Sequence, residues 1–180
     1  MRLLIIAILL SWYNFQSATA QKMYPQDDTL KVLTWNIYHL PHFIFMNSKK
    51  STRAKEQAKE LMKMDNDILV FQEAFSRKSR RIIYKRLKEK YPFRYGPANL
   101  RGTFIKTNSG IWILSNRPLI VKEQIKFDAC SGIDCMAFKG SLMVEGEHNG
   151  HIFQIAGTHT NGGPQSINRH QFHQIREMMD

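Results

Sequence analysis

Ile68-Leu69-Val70-Phe71 places four large apolar side chains in succession, and the polar pair Gln72-Glu73 ends the run. A strand without polar alternation has no face to give to water, so Asp67–Phe71 reads as a buried strand that other elements must cover. Leu30–Tyr38 is β-rich and largely apolar and reads as a second buried strand, which Pro41 keeps from extending. Thr52–Met64 carries Ala54, Ala58, Leu61 and Met62 at helical spacing, with Ser51 as the expected N-cap. Ser76–Lys90 is a further amphipathic helix with Ile83, Leu87 and Tyr91 along one stripe, stopped by Pro92.

The character of the chain then changes. Residues 92–109 hold Pro92, Gly96, Pro97, Asn99 and Gly102 and read as loop. Gly110–Ser115 and Leu119–Phe127 read as strands around the turn Asn116-Arg117-Pro118. Lys139–Glu145 and His151–Gly157 read as a hairpin, and Asn149-Gly150 is its turn signal. Thr158–Pro164 is a polar loop leaving the last strand. Ser166–Asp180 reads as a helix with Phe172, Ile175 and Met179 facing inward. Strands alternating with helices, followed by a β-meander, give a mixed α/β sheet layered with helices. No internal repeat or low-complexity tract interrupts it.

The first twenty residues stand apart. Arg2, the apolar run Leu3–Leu10 and the small-residue site Ala18-Thr19-Ala20 have the form of a secretory signal peptide. Eight strictly apolar residues are too few to span a bilayer. The expected organisation is therefore a signal peptide over 1–20, a polar lead-in over 21–29 and one domain over 30–180. The mature chain is expected outside the cell, where disulfides persist. The whole sequence carries a net charge of +11. Fourteen Lys and Arg against six Asp and Glu between Lys49 and Lys90 account for +8 of it. Such a face attracts phosphate on nucleic acid or on lipid headgroups, and it also fits an ordinary solvated helix surface.

Several polar residues end apolar strands. Asn36 and Glu73 are oxygen donors of the kind a hard cation such as Mg²⁺ prefers. His159 follows the strand ending at Gly157 and could contact a phosphate oxygen or transfer a proton. Taken singly, a Glu after a strand is more often a surface residue and a lone His more often a structural one. Tyr38, Phe43 and Phe45 form either a membrane-contacting loop or part of the core, and core packing is the expectation.

Three segments, Leu33–Tyr38, Asp67–Glu73 and Gly157-Thr158-His159, occur in the order of the endonuclease/exonuclease/phosphatase (deoxyribonuclease-I-like) superfamily. Within it the chain most resembles the secreted neutral sphingomyelinases (sphingomyelinase C). That resemblance rests on Asn108–Ser115, on Cys130–Gly140 with its Cys-x-Gly-x-Asp-Cys and Lys-Gly, and on Ile155–Asn161, and it runs from about Leu30 onward. It implies the first part of a layered α/β sandwich and hydrolysis of sphingomyelin in membranes to ceramide and phosphocholine. Mg²⁺ or another divalent cation would assist. It assigns Glu73 and Asn36 to the metal, and Asn36 and His159 to catalysis. It assigns Lys139, Asp134 and Asn161 to substrate phosphate, with Lys139 oriented by pairing with Asp134. A nucleic-acid substrate is the alternative on the same fold, and a non-catalytic binding module is another.

Cys130 and Cys135 bracket four residues, and in a secreted chain a short-loop disulfide is the first reading, with a metal or nucleophilic site as its rival. The family's general base lies in a late Asp-His pair, and further contacts come from an Asp-x-Asn motif. Neither occurs in this sequence. The sandwich is therefore expected to be truncated, and residues 1–180 alone to be nearly inactive.

Overall fold

The computed structural model describes residues 29–41, 49–100 and 106–180. The signal peptide, nearly all of the lead-in, Phe43, Phe45 and Gly102 lie outside them.

Two sheets pack face to face. The first has the order β1-β2-β4-β3. It is built from β1 (Val32–Asn36), β2 (Ile68–Gln72), β3 (Phe93–Tyr95) and β4 (Trp112–Ser115). β1 runs parallel to β2, and β4 is antiparallel to both β2 and β3. The second sheet joins β5 (Ile120–Lys126), β6 (Gly140–His148) and β7 (His151–Thr158) as an antiparallel meander. Helices α1 (Lys50–Lys63) and α2 (Arg77–Leu87) cover the outer face of the first sheet, and α3 (Gln165–Met179) follows β7.

β2 is the strand the apolar run requires. Leu69 and Phe71 point to the helices, where Ala54, Ala58, Leu61, Ile83 and Leu87 bury them. Ile68 and Val70 point to the second sheet, against Leu142 and Val144. Every one of the four is at most 4% exposed. Burying a side chain of this size contributes about 1.5–3 kcal/mol, which is why the strand's pattern settles its place.

Other expectations needed correction. β1 is an edge strand, not a buried one: Val32 is 44% exposed and Thr34 and Asn36 are exposed on the same face. Thr34 and Asn36 fall on the face that the second sheet does not cover among the described residues. The expected loop 92–109 contains β3, a three-residue strand that its pairing with β4 defines. Ser51 lies inside α1, which begins one residue earlier behind Lys49. Ser76, by contrast, caps α2 by accepting a bond from the Ser79 amide at 3.2 Å. In α3 the inward residues are Gln171 and Met178, while Phe172 is 58% and Met179 54% exposed. Gln171 is buried because its amide donates to the Ala129 carbonyl and its oxygen accepts from the Asn161 amide, each at 2.8 Å. Those two bonds set the roll of the helix.

The β6–β7 hairpin is longer than the sequence suggested and closes at His148↔His151. Asn149 and Gly150, at φ 52° and 79°, are the two left-handed residues such a turn requires. No helix among the described residues is long and apolar enough to cross a membrane.

Candidate active site

The residues singled out in the sequence arrive at one end of the two sheets. Asn36 ends β1, and Glu73 sits one residue beyond β2. Lys139 precedes β6 and His159 follows β7, so the antiparallel pairing puts both at the same end. Asp134 sits in a 3-10 turn over Gly132–Met136. A cavity of about 260 Å³ opens among Glu73, Asp134, Lys139 and His159. The rest of its lining is largely apolar, with Leu40, Pro41, Phe75, Ile133 and Met136, and Tyr38 adds a phenol.

Glu73 and His159 come from different sheets. The imidazole Nδ1 lies 4.0 Å from Glu73 Oε1, and both Nδ1 and Glu73 Oε2 are buried without a hydrogen-bond partner. Burial holds the His159 pKa below its ordinary value, and Lys139 adds to this, while Glu73 and Asp134 act in the opposite direction. The neutral imidazole is therefore favoured, with a lone pair free for a proton.

The backbone at Glu73 is unusual. Glu73 and its neighbour Tyr38 both have φ of 54°, a left-handed conformation that side chains other than Gly and Asn seldom adopt. Such a residue costs on the order of 1–3 kcal/mol and persists where the surroundings hold it. Tyr38 is 51% exposed rather than part of the core, and the Arg53 guanidinium lies 5.7 Å from its ring centre.

Lys139 is not a surface lysine. Its side chain is 6% exposed, and Nζ lies 2.8 Å from Asp134 Oδ1 and donates to the Thr160 carbonyl at 2.8 Å. An ammonium has three donors, so one N–H remains for the cavity. Asp134 also accepts from the Gly162 amide at 2.7 Å. Burial pushes the Asp134 pKa up, but the Lys139 and Gly162 bonds outweigh it, and the carboxylate is held below its ordinary value.

Two expected residues are placed differently. Asn36 is exposed, and its carboxamide oxygen accepts from the Tyr38 amide at 3.1 Å. It does not line the cavity. Asn161 is 3% exposed, and its carboxamide is tied to Ser131, whose amide donates to Oδ1 at 3.1 Å and whose hydroxyl accepts from Nδ2 at 2.8 Å. Its work in this structure is to strap the loop after His159 to the 3-10 turn. That turn is closed by the disulfide Cys130–Cys135, with Cα atoms 5.3 Å apart, so the rival metal or nucleophile reading falls away. Phe75 and Met136, in the apolar wall, carried no signal in the sequence beyond ordinary core character.

No group of three or more His, Cys, Asp or Glu side chains gathers among the described residues. Mg²⁺ commonly takes only one or two carboxylates and keeps several waters. Glu73 lines the cavity, and its Oε2, buried with no donor to satisfy it, is a carboxylate oxygen of that kind. The residues present fit such an ion.

No protein-family model matches the chain. In sequence it is 29% identical over 181 residues to sphingomyelinase C 2 of Leptospira interrogans, covering 88% of this chain and 29% of that protein. In structure, sphingomyelinase C from Streptomyces griseocarneus superposes with a TM-score of 0.76 at 25% identity, covering 84% of this chain and 58% of that one. A beta-toxin variant from Staphylococcus aureus, crystallised with bound magnesium ions, has a TM-score of 0.73 over 83% of this chain and 58% of its own. At 23% identity that likeness concerns the fold alone. The α/β architecture is thus that of the sphingomyelinase C structures. The resemblance first read in the motifs is carried by sequence and fold together, and the homologues are bacterial sphingomyelinases C. The chain spans from under a third to under three fifths of the length of these proteins.

Proposed function

We propose that the chain supplies the cation- and phosphate-facing part of a secreted, Mg²⁺-dependent phosphodiesterase that hydrolyses sphingomyelin to ceramide and phosphocholine. The observation that carries this reading is Glu73: a carboxylate with an unpartnered buried oxygen, 4.0 Å from an imidazole, in a cavity shared with Lys139. The sphingomyelinase relatives supply the substrate.

In this account Glu73 holds the cation. The ion, when bound, supplies Lewis-acid charge against the phosphoryl oxygens. Lys139 offers its remaining N–H to a non-bridging phosphate oxygen, and Asp134 and the Thr160 carbonyl fix where that N–H points. His159, kept neutral by burial, accepts or donates a hydrogen bond at the phosphate or the scissile oxygen. The apolar wall of Leu40, Phe75, Ile133 and Met136 suits the part of a lipid adjoining its phosphate better than it suits a polyanion. Asn36 acts from the rim, if its carboxamide turns from Tyr38. The Asp-His and Asp-x-Asn groups of the family must come from elsewhere, so residues 1–180 alone should turn over only in traces.

The test offers sphingomyelin vesicles and duplex DNA separately to the protein with Mg²⁺ and with a chelator. Mg²⁺-dependent phosphocholine release, however slow, that vanishes in Glu73→Gln supports the proposal. DNA cleavage without phosphocholine release favours the nuclease. Phosphocholine release that persists in the chelator overturns the metal reading.

A further inference from the structure

Outside the cavity lining, two buried polar side chains, His39 and Gln57, and the half-buried Arg80 sit against the backbone that carries Glu73. The ends of β1 and β2 each leave the sheet through one left-handed residue, Tyr38 and Glu73, so the two strands break out side by side. Backbone bonds join the two strands on both sides of that break. The Ile37 amide donates to the Gln72 carbonyl at 3.1 Å and the His39 amide to the Glu73 carbonyl at 3.0 Å. The Ser76 amide donates back to the His39 carbonyl at 3.1 Å.

His39 is 0% exposed. Its Nε2 lies 2.7 Å from Gln57 Oε1 on α1, and the Gln57 amide donates to the Ile37 carbonyl at 3.1 Å. With the Gln57 nitrogen so engaged, its oxygen must accept, and His39 carries its hydrogen on Nε2. The other ring nitrogen is buried without a partner. From the opposite side, Arg80 on α2 donates to the carbonyls of Ala74 and Phe75, the latter at 2.8 Å. Burial lowers the Arg80 pKa to about 10, with Arg77 adding to this and no carboxylate opposing it. A fully buried imidazole with one nitrogen unsatisfied is unfavourable, and so is a half-buried guanidinium without a carboxylate. An apolar residue would pack there at less cost, so these polar groups point to a role that packing does not supply. Neither residue lines the cavity, and Gln57 does not either. His39, through its amide, and Arg80, through its guanidinium, hold the backbone at and just after Glu73, and Gln57 braces His39.

We propose that His39, braced by Gln57, and Arg80 are positioning residues: they hold Glu73 in its left-handed conformation and so aim its carboxylate into the cavity. The proposal rests on Glu73 being the cation-binding carboxylate. Without the clamp, Glu73 relaxes toward an ordinary extended conformation, which turns its side chain away from His159. The effect should appear in cation affinity, and it should follow the hydrogen bonds rather than side-chain volume.

The experiment compares wild type, His39→Leu, His39→Gln, Arg80→Met and Glu73→Gln. Mg²⁺ affinity is read by calorimetry, and hydrogen exchange is read at the amides of His39 and Ser76. His39→Leu should weaken Mg²⁺ about tenfold, in the range that removal of a supporting hydrogen bond produces. Exchange at both amides should quicken, and His39→Gln, which can still donate to Gln57, should restore both. Arg80→Met should act in the same direction and carries the test should His39→Leu not fold. Wild-type affinity and exchange in both His39→Leu and Arg80→Met, with binding lost in Glu73→Gln, would overturn the clamp while leaving the metal reading intact. No Mg²⁺ uptake by the wild type would overturn both, and is told apart by the wild-type titration alone.

Discussion

The imidazole Nδ1 of His159 lies 4.0 Å from Oε1 of Glu73, although the two residues hang from different sheets. The distance depends on how closely β7 lies against β2. Gly157 permits that approach: a Cβ there would stand 3.0 Å from Val70 Cγ1 and from Ile111 Cγ2. Gly157→Val should therefore push the sheets apart, costing about 1–3 kcal/mol of stability as overpacked cores do. It should also weaken phosphocholine binding, because His159 moves away from Glu73 and Lys139. Urea unfolding and calorimetry on the same variant check both effects.

The pair Asp134–Lys139 gives a prediction about charge. Asp134→Ala leaves the Lys139 ammonium buried with only the Thr160 carbonyl. The loss should be about 3 kcal/mol, as for other buried pairs deprived of one partner. Lys139→Met added to Asp134→Ala should recover most of it, since no unpaired charge remains. Lys139→Ala should weaken phosphocholine binding about tenfold, the scale of one charge-assisted hydrogen bond. Denaturant unfolding and a phosphocholine titration monitored by ³¹P NMR separate the two roles.

His39 makes stability fall as the solution turns acid. Burial lowers its pKa from 6.5 to about 4; the Gln57 bond opposes this, and Arg53 and Lys50 reinforce it. Between those two values the unfolded chain binds a proton that the native chain does not, so stability drops as pH falls through that window. The loss from this one group reaches up to about 3 kcal/mol. His159 is shifted in the same direction and adds to the slope. Asp67 and Asp134, whose pKa values lie below the ordinary carboxylate, act only at lower pH. Unfolding free energies at pH 5 and pH 7 should differ less in His39→Gln than in wild type. An equal difference in the two proteins would contradict the assignment.

What the sequence disclosed follows from which interactions are local. β2 was legible because four apolar residues in a row can be satisfied only between two covered layers. β1 is also rich in large apolar residues, but Thr34 and Asn36 give one of its faces a polar character that reading Leu30–Tyr38 as largely apolar passed over. β3 lies between Pro92 and Gly96 and has no periodicity of its own, since it exists through pairing with β4. The roll of α3 was hidden because hydrogen bonds to Asn161 and Ala129 bury Gln171 ahead of Phe172. At the site, Glu73, His159, Asp134 and Lys139 could be named because motif and strand end coincide. The left-handed turns at Tyr38 and Glu73 could not, since neither is the glycine or asparagine that usually marks one. The engagement of Asn161 by Ser131, and of Glu73's backbone by His39, depends on contacts across 30 or more residues.

The central claim is that Glu73 offers a buried carboxylate oxygen to a divalent cation, and a calorimetric Mg²⁺ titration of wild type and Glu73→Gln tests it most directly. The account predicts one site in the wild type, weak because a single carboxylate anchors it, and no measurable heat of binding in Glu73→Gln. Equal binding by the two proteins, or none by the wild type, would contradict it.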